Sequence, residues 1–303
     1  MKFAAIDIGS NAIRLLIEEV HIDEGKYHIE KVSLTRVPVR LGEDVFGQGK
    51  ISKEKIRQLI KTMKAFWYLM EVHHVVYFRV CATSAMREAK NRKEVLNRVK
   101  REANLDIEVL SGDEEAGLIF SNYLTQNLQT DKNYLFIDVG GGSTELTLIQ
   151  NGQKTLGKSF DLGTVRMLAS AVKESEWKKV KKWLSEAVKP ESTLIGIGTG
   201  GNVNAMFKLQ GKKMQETLNR KEIQEQFEYL SSFTFDQRIV RLRMKPDRAD
   251  VIIPAARIYM NIMDYAGIND MIVPKIGLSD GIILDMFNSW KASPSIWKKD
   301  FIL

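Results

Sequence analysis

Residues Tyr134–Gly152 read YLFIDVGGGSTELTLIQNG, and residues Lys2–Val20 read KFAAIDIGSNAIRLLIEEV. The later stretch repeats the layout of the earlier one: an apolar run, an acid, a glycine turn with small polar residues, and a second apolar run. Asp7 matches Asp138 and Gly9 matches Gly140. Apolar runs bounded by such turns read as strands joined in hairpins. Two halves that open alike predict two related α/β domains facing each other across a cleft, residues 1–124 and 125–303.

The segments around these repeats fit that expectation. YHIEKVSL predicts a third strand after the first hairpin, and ISKEKIRQLIKTMKAFWYLMEV returns apolar residues every three or four positions, as a helix does. A strand (VVYFRV), a helix (MREAKNRKEVLNRVKREAN), a strand (IEVL) and a helix (EEAGLIFSNYLTQNL) follow. After the second hairpin come a strand (STLIGIG), a helix after GTGGNVNA, the charged helix RKEIQEQFEYLSSF, a long apolar helix through IIPAARIYMNIMDYAG, and the closing unit MIVPKIGLSDGIILDMF. Strands alternating with helices predict the α/β class.

Of the 303 residues, 44% are hydrophobic and 27% charged, which suits a folded protein rather than a disordered or membrane one. An acid at position 7 interrupts the N-terminal apolar run too early for a signal-peptide core, so a cytoplasmic protein with no membrane partner is expected. The single cysteine, Cys81, lies in an apolar run and reads as a core residue. A net charge of +7 favours an anionic partner. No zinc-ligand spacing and no aromatic-glycine string points to nucleic acid.

Several strings carry chemistry. The turns at Asp7-Ile8-Gly9-Ser10-Asn11 and Asp138-Val139-Gly140-Gly141-Gly142-Ser143-Thr144-Glu145 let backbone N–H groups approach a phosphate unobstructed by a Cβ. A carboxylate beside each turn is where a hard cation such as Mg²⁺ is held, usually through water. Gly200 and Gly201, in GTGGN between a strand and a helix, could turn amides to an anion or serve only close packing. Arg87, in ATSAMREA, suits either a surface ion pair or a bidentate grip on phosphate. In Ser111-Gly112-Asp113-Glu114-Glu115, acids in a first helical turn serve capping, which accounts for Asp113 and Glu114. Glu115, if aimed into the cleft, could instead accept a proton from an attacking water, though position alone favours capping. Gly152–Ser159, GQKTLGKS, matches the P-loop formula letter for letter, but Asn151-Gly152 is a favoured hairpin turn and predicts a returning strand instead. WKKVKKW, residues 177–183, reads as a solvated helix face with its tryptophans turned inward, and the four histidines show no metal spacing.

Taken in order, IDIGSN, RLGED, ATSAMREAKN, SGDEEA, IDVGGGSTEL, SFDLGTVRM, GTGGN and RADVIIPAARI resemble the exopolyphosphatase and guanosine-pentaphosphate phosphatase family of the actin and sugar-kinase superfamily. The resemblance implies two ribonuclease-H-like (actin-like ATPase) domains facing across an interdomain cleft, and hydrolysis of the terminal phosphoanhydride of inorganic polyphosphate by water with Mg²⁺. Its alternatives are guanosine pentaphosphate hydrolysis, or a nucleotide-binding regulatory module with little turnover. It also leaves room for a homodimer. Carried over by position, Glu115 falls on the general base, Asp138 and Glu145 on the magnesium-holding acids, and Arg87 on a phosphate-binding arginine. Asp7, Gly9, Ser10 and Asn11 match the first phosphate motif, and Gly140, Gly141, Gly142, Ser143 and Thr144 the second. Two departures from the family's usual pattern stand out: Ala12 replaces a serine, and Ser279-Asp280 replaces an Arg-Glu pair before Gly281. The chain resembles the short form, without the helical C-terminal domains.

Overall fold

A computed structural model describes residues 1–24, 26–124, 128–188, 193–213 and 216–293, excluding the side chains of 122–124. The chain divides into two compact units, Met1–Asn122 with the C-terminal segment from Gly277, and Tyr123–Ile276.

The first unit opens with β1 (Lys2–Ile8), β2 (Ile13–Asp23) and β3 (Lys26–Val37), then α1 (Leu41–Gln48), α2 (Lys53–Val72), β4 (Tyr77–Ala82), α3 (Ser84–Glu88), α4 (Arg92–Ala103), β5 (Glu108–Val109) and α5 (Gly112–Leu124). Strand order is β3-β2-β1-β4-β5. The hairpin strands pair antiparallel, whereas β4 and β5 join in parallel through helical crossovers. Ser52 caps α2 by accepting from the Lys55 N–H at 3.3 Å. The buried stripe Ile56, Leu59, Met63, Phe66 and Met70 follows the helical period and packs into the core against Ala4, Ile6 and Leu15 of the sheet. The segment expected as one helix over 86–104 is two. Asn91, between α3 and α4, accepts from the Ile51 N–H at 3.0 Å and donates to the Ile51 carbonyl at 2.9 Å, a pairing that sets the break.

The second unit holds β6 (Asn133–Val139), β7 (Thr144–Gln150), β8 (Gln153–Phe160), α6 (Thr164–Leu168), α7 (Glu174–Ala187), β9 (Leu194–Thr199), α8 (Gly201–Leu209), β10 (Thr217–Asn219), α9 (Arg220–Ser231), α10 (Phe235–Val240), α11 (Pro246–Ala249), α12 (Ile252–Ala266) and β11 (Asp270–Ile272). Its order, β10-β11-β9-β6-β7-β8, contains the same arrangement as the first: a three-stranded antiparallel meander whose first strand pairs in parallel with the fourth. The P-loop look-alike lies on β8. Asn151 (φ 52) and Gly152 (φ 72) form the hairpin turn before it, so the segment has no helix to open. Trp177 and Trp183 of α7 pack against the core, leaving the intervening lysines to the outer face. The protein is therefore α/β, with two ribonuclease-H-like (actin-like ATPase) domains. No helix among the described residues is long and apolar enough to cross a membrane.

One boundary requires correction. The last helix, α13 (Leu278–Ala292), was expected in the second domain, which was to run from 125 to 303, but it belongs to the first unit. Phe287 packs on Phe3 and Tyr27 with ring centroids 6.1 and 4.9 Å away, and Asp285 pairs with Arg79 at 2.8 Å. Asp280, at a position that departs from the family pattern, accepts from Lys31 at 3.0 Å and from the Gly277 N–H at 2.9 Å. These contacts tie α13 to the first sheet.

Candidate functional site

In the second unit the register of the hairpin places Asp138 opposite Glu145. Directly opposed residues of an antiparallel pair project from the same face, and the two carboxylates offer oxygens within 4.8 Å of one another. The same register continues across the sheet, because Asp138 also pairs with Thr199 on β9 and Glu145 with Ser159 on β8. Thr199 Oγ1 donates to Asp138 Oδ1 at 2.7 Å, and Ser159 Oγ to Glu145 Oε1 at 2.8 Å. Four strands thus present one polar row, Thr199, Asp138, Glu145 and Ser159, with the acids at its centre. Behind it the buried Tyr259 of α12 donates its hydroxyl to the Thr199 carbonyl at 2.5 Å. Burial, and then the nearby Asp138 carboxylate, raise the Tyr259 phenol well above its ordinary range.

The turn between these strands closes with the Gly140 N–H on the Ser143 carbonyl at 2.9 Å. Gly200 adjoins it: with φ at 100, it lies where a Cβ would stand 3.3 Å from Asp138 Oδ1 and 3.2 Å from the Val139 carbonyl. Gly201 opens α8 under the Arg248 guanidinium, which donates to Asn202 Oδ1 at 2.5 Å. The fold thus brings Gly140–Thr144, Gly200, Asp138 and Glu145 to one end of the second sheet.

The first unit carries the equivalent turn, closed by the Gly9 N–H on the Ala12 carbonyl at 3.1 Å. Its chemistry differs, because Arg14 stands in register opposite Asp7, where the second unit has Glu145. Arg14 Nη1 donates to Asp7 Oδ2 at 2.6 Å, which neutralises the acid with a fixed cation. Ser10 is buried; its hydroxyl lies 2.8 Å from that of Ser84 and accepts from the Ala85 N–H at 3.2 Å. The Asn11 carbonyl accepts from the Arg40 N–H at 3.0 Å.

Also in the first unit, Glu114 and Glu115 part ways. Glu114 Oε2 accepts from both the N–H and the hydroxyl of Ser111 at 2.7 Å, so those bonds hold its carboxyl below the usual range and it serves as the helix cap. Glu115 is 8% exposed, with the guanidinium of Arg87 3.8 Å from its Oε2. Arg87 is oriented by donating to the Leu110 carbonyl at 2.7 Å. Sequence reasoning did not assign roles to Thr199, Ser159 and Tyr259, although Thr199 lies in GTGGN and Ser159 opens SFDLGTVRM. The strand register pointed to the first two once Asp138 was placed.

Comparison with known proteins identifies the family. Residues 20–290 match the Ppx/GppA phosphatase family. A bifunctional 3-dehydroquinate synthase/phosphatase of Fusobacterium nucleatum is 30% identical over 93% of this chain, which spans about half (46%) of that protein. Exopolyphosphatase 2 of Mycobacterium tuberculosis is 27% identical over 94% of this chain and 98% of its own length. Among solved structures, the Aquifex aeolicus member of the Ppx/GppA family superposes with a TM-score of 0.74 at 26% identity, covering 95% of this chain and 98% of that one. The chain belongs to the Ppx/GppA phosphatase family.

Proposed function

We propose that this protein is an exopolyphosphatase that hydrolyses the terminal phosphoanhydride of inorganic polyphosphate with Mg²⁺. The observation that carries the reading is the carboxylate pair Asp138 and Glu145, side by side at the end of a glycine turn. Two adjacent carboxylates repel, and hard oxygen donors of this kind suit a magnesium ion better than a softer metal. The residues therefore fit Mg²⁺, with Asp138 and Glu145 as its holders and Thr199 and Ser159 fixing their rotamers. Bound there, the ion would supply charge neutralisation on the phosphate oxygens.

The chain's own residues do the rest. Glu115 is the base that takes a proton from water at a carboxylate oxygen, and Arg87, oriented by the Leu110 carbonyl, binds phosphate oxygens. In the second unit the amides of Gly141, Gly142 and Ser143, with those of Gly200 and Gly201, bind and orient the anion; in the first unit the Asp7–Asn11 turn is a phosphate-binding motif of its own. The names of similar proteins, exopolyphosphatase among them, support this substrate class.

The test is phosphate release measured side by side from short polyphosphate, long polyphosphate, guanosine pentaphosphate and ATP, with and without Mg²⁺. Fastest Mg²⁺-dependent release from polyphosphate is expected. Preference for guanosine pentaphosphate would move the assignment to the nucleotide, and no release from any of the four would overturn it.

A further inference from the structure

The SFDLGTVRM string finds its purpose behind the second phosphate turn. The Thr164 N–H donates to the Gly140 carbonyl at 3.1 Å, the N–H groups of Val165 and Arg166 to the Gly141 carbonyl at 2.8 and 3.1 Å, and Arg166 Nε to the Gly142 carbonyl at 2.7 Å. All three turn carbonyls are thereby drawn to one side. In a trans peptide the following N–H points opposite to the carbonyl, and no cis bond occurs among the described residues. The N–H groups of Gly141, Gly142 and Ser143 consequently point the other way together, which is the concavity that binds anions.

The fit leaves no slack. A Cβ on Gly163 would lie 2.4 Å from the Gly142 carbonyl carbon and 2.5 Å from the Gly141 oxygen. Arg166 is 7% exposed, with Asp161 3.6 Å from its guanidinium. The first unit shares part of this grip, since the Gly42 N–H donates to the Ser10 carbonyl at 2.8 Å. The Asn11 carbonyl, which matches that of Gly142 by turn register, instead accepts from the Arg40 backbone N–H at 3.0 Å. A side-chain guanidinium thus takes the place of that backbone donor in the unit that carries the carboxylate pair.

We propose that Arg166 is a positioning residue for phosphate binding, holding the Gly142 carbonyl back so that the Ser143 amide and its two predecessors face the anion. This rests on the reading that Gly140–Ser143 receives phosphate. The Gln side chain places an amide nitrogen where Arg carries Nε, whereas Met places a methyl there. The decisive comparison is therefore Arg166→Gln with Arg166→Met in the full chain, reading orthophosphate affinity by calorimetry with Mg²⁺, KM and kcat separately, and the thermal midpoint.

Arg166→Met is expected to weaken orthophosphate binding and raise KM by about tenfold or more, the scale of a buried acceptor left without its donor. Arg166→Gln is expected to stay within about threefold of the parent. Phosphate binding by Arg166→Met equal to that of the parent, whatever its thermal midpoint, would overturn the proposal. Should Arg166→Met not fold, Arg166→Lys replaces it. Its ammonium lies one atom beyond Nε, so weaker phosphate binding than Arg166→Gln is expected, and equal binding refutes the role. Ser143→Pro, which removes the amide itself, separates the two levels. If it weakens phosphate binding while Arg166→Met does not, only the positioning role fails. If neither does, the turn is not the phosphate site.

Discussion

Glu18→Gln tests a charge buried away from the proposed chemistry. Glu18 on β2 is 7% exposed, opposite Lys31 of β3, whose ammonium donates to Asp280 at 3.0 Å. Burial, and then the Asp280 carboxylate, push the Glu18 carboxyl from its ordinary 4.5 up to about 7, against the pull of Lys31. A carboxyl raised in this way keeps its proton in the folded chain at pH values where the unfolded chain has released it. Its stabilising contribution is complete below 4.5 and is lost as pH rises to about 7. At about 1.4 kcal/mol per decade, that span is worth about 3 kcal/mol. Glutamine stays neutral throughout, so Glu18→Gln is expected to match the parent within about 1 kcal/mol at pH 5 and to exceed it by about 2–3 kcal/mol at pH 8. Urea unfolding followed by circular dichroism at both pH values measures this. A stability difference between the two proteins that is the same at pH 5 and pH 8 would refute the reasoning, because the carboxyl would then titrate alike in both states.

Glu115→Gln is expected to lower turnover of polyphosphate by about 10²–10⁴-fold with KM little changed, while Glu114→Gln costs far less activity and some helix stability; equal losses in steady-state kinetics would return Glu115 to a capping role. Asp138→Asn is expected to raise the Mg²⁺ concentration needed for half-maximal activity, and an unchanged magnesium titration would remove Asp138 from the metal site. Gly281→Ala would place a Cβ 2.2 Å from the Leu118 carbonyl oxygen on α5. A loss of about 1–3 kcal/mol in urea unfolding is expected, and a neutral result would mean that α13 and α5 do not pack so closely.

Much of the site was legible in strings because its parts are local. A turn between two strands needs glycines and short polar residues in sequence, so the motifs around Gly9 and Gly140 were visible from spacing alone. The same holds for the strand that excludes the P-loop, since Asn151-Gly152 dictates a hairpin before anything distant packs on it. Glu114 and Glu115 are adjacent in sequence and both suit a first turn. The local Ser111–Glu114 spacing already gives Glu114 to the cap, but only the fold buries Glu115 beside Arg87.

By itself, then, the sequence determined the α/β class, the duplicated hairpins and the residues at their ends, all properties of periods and turns within about twenty positions. Tertiary structure alone decided three things. It joined α13 to the first sheet through Phe287, Asp280 and Asp285, contacts spanning most of the chain. It buried Glu115 beside Arg87, a residue of a different helix. And it set Arg166 against the Gly142 carbonyl, 24 positions away. The physical reason is common to all three: hydrogen-bond register and close packing join residues by their place on a sheet or helix face, and neighbours along the chain do not specify which face will meet which.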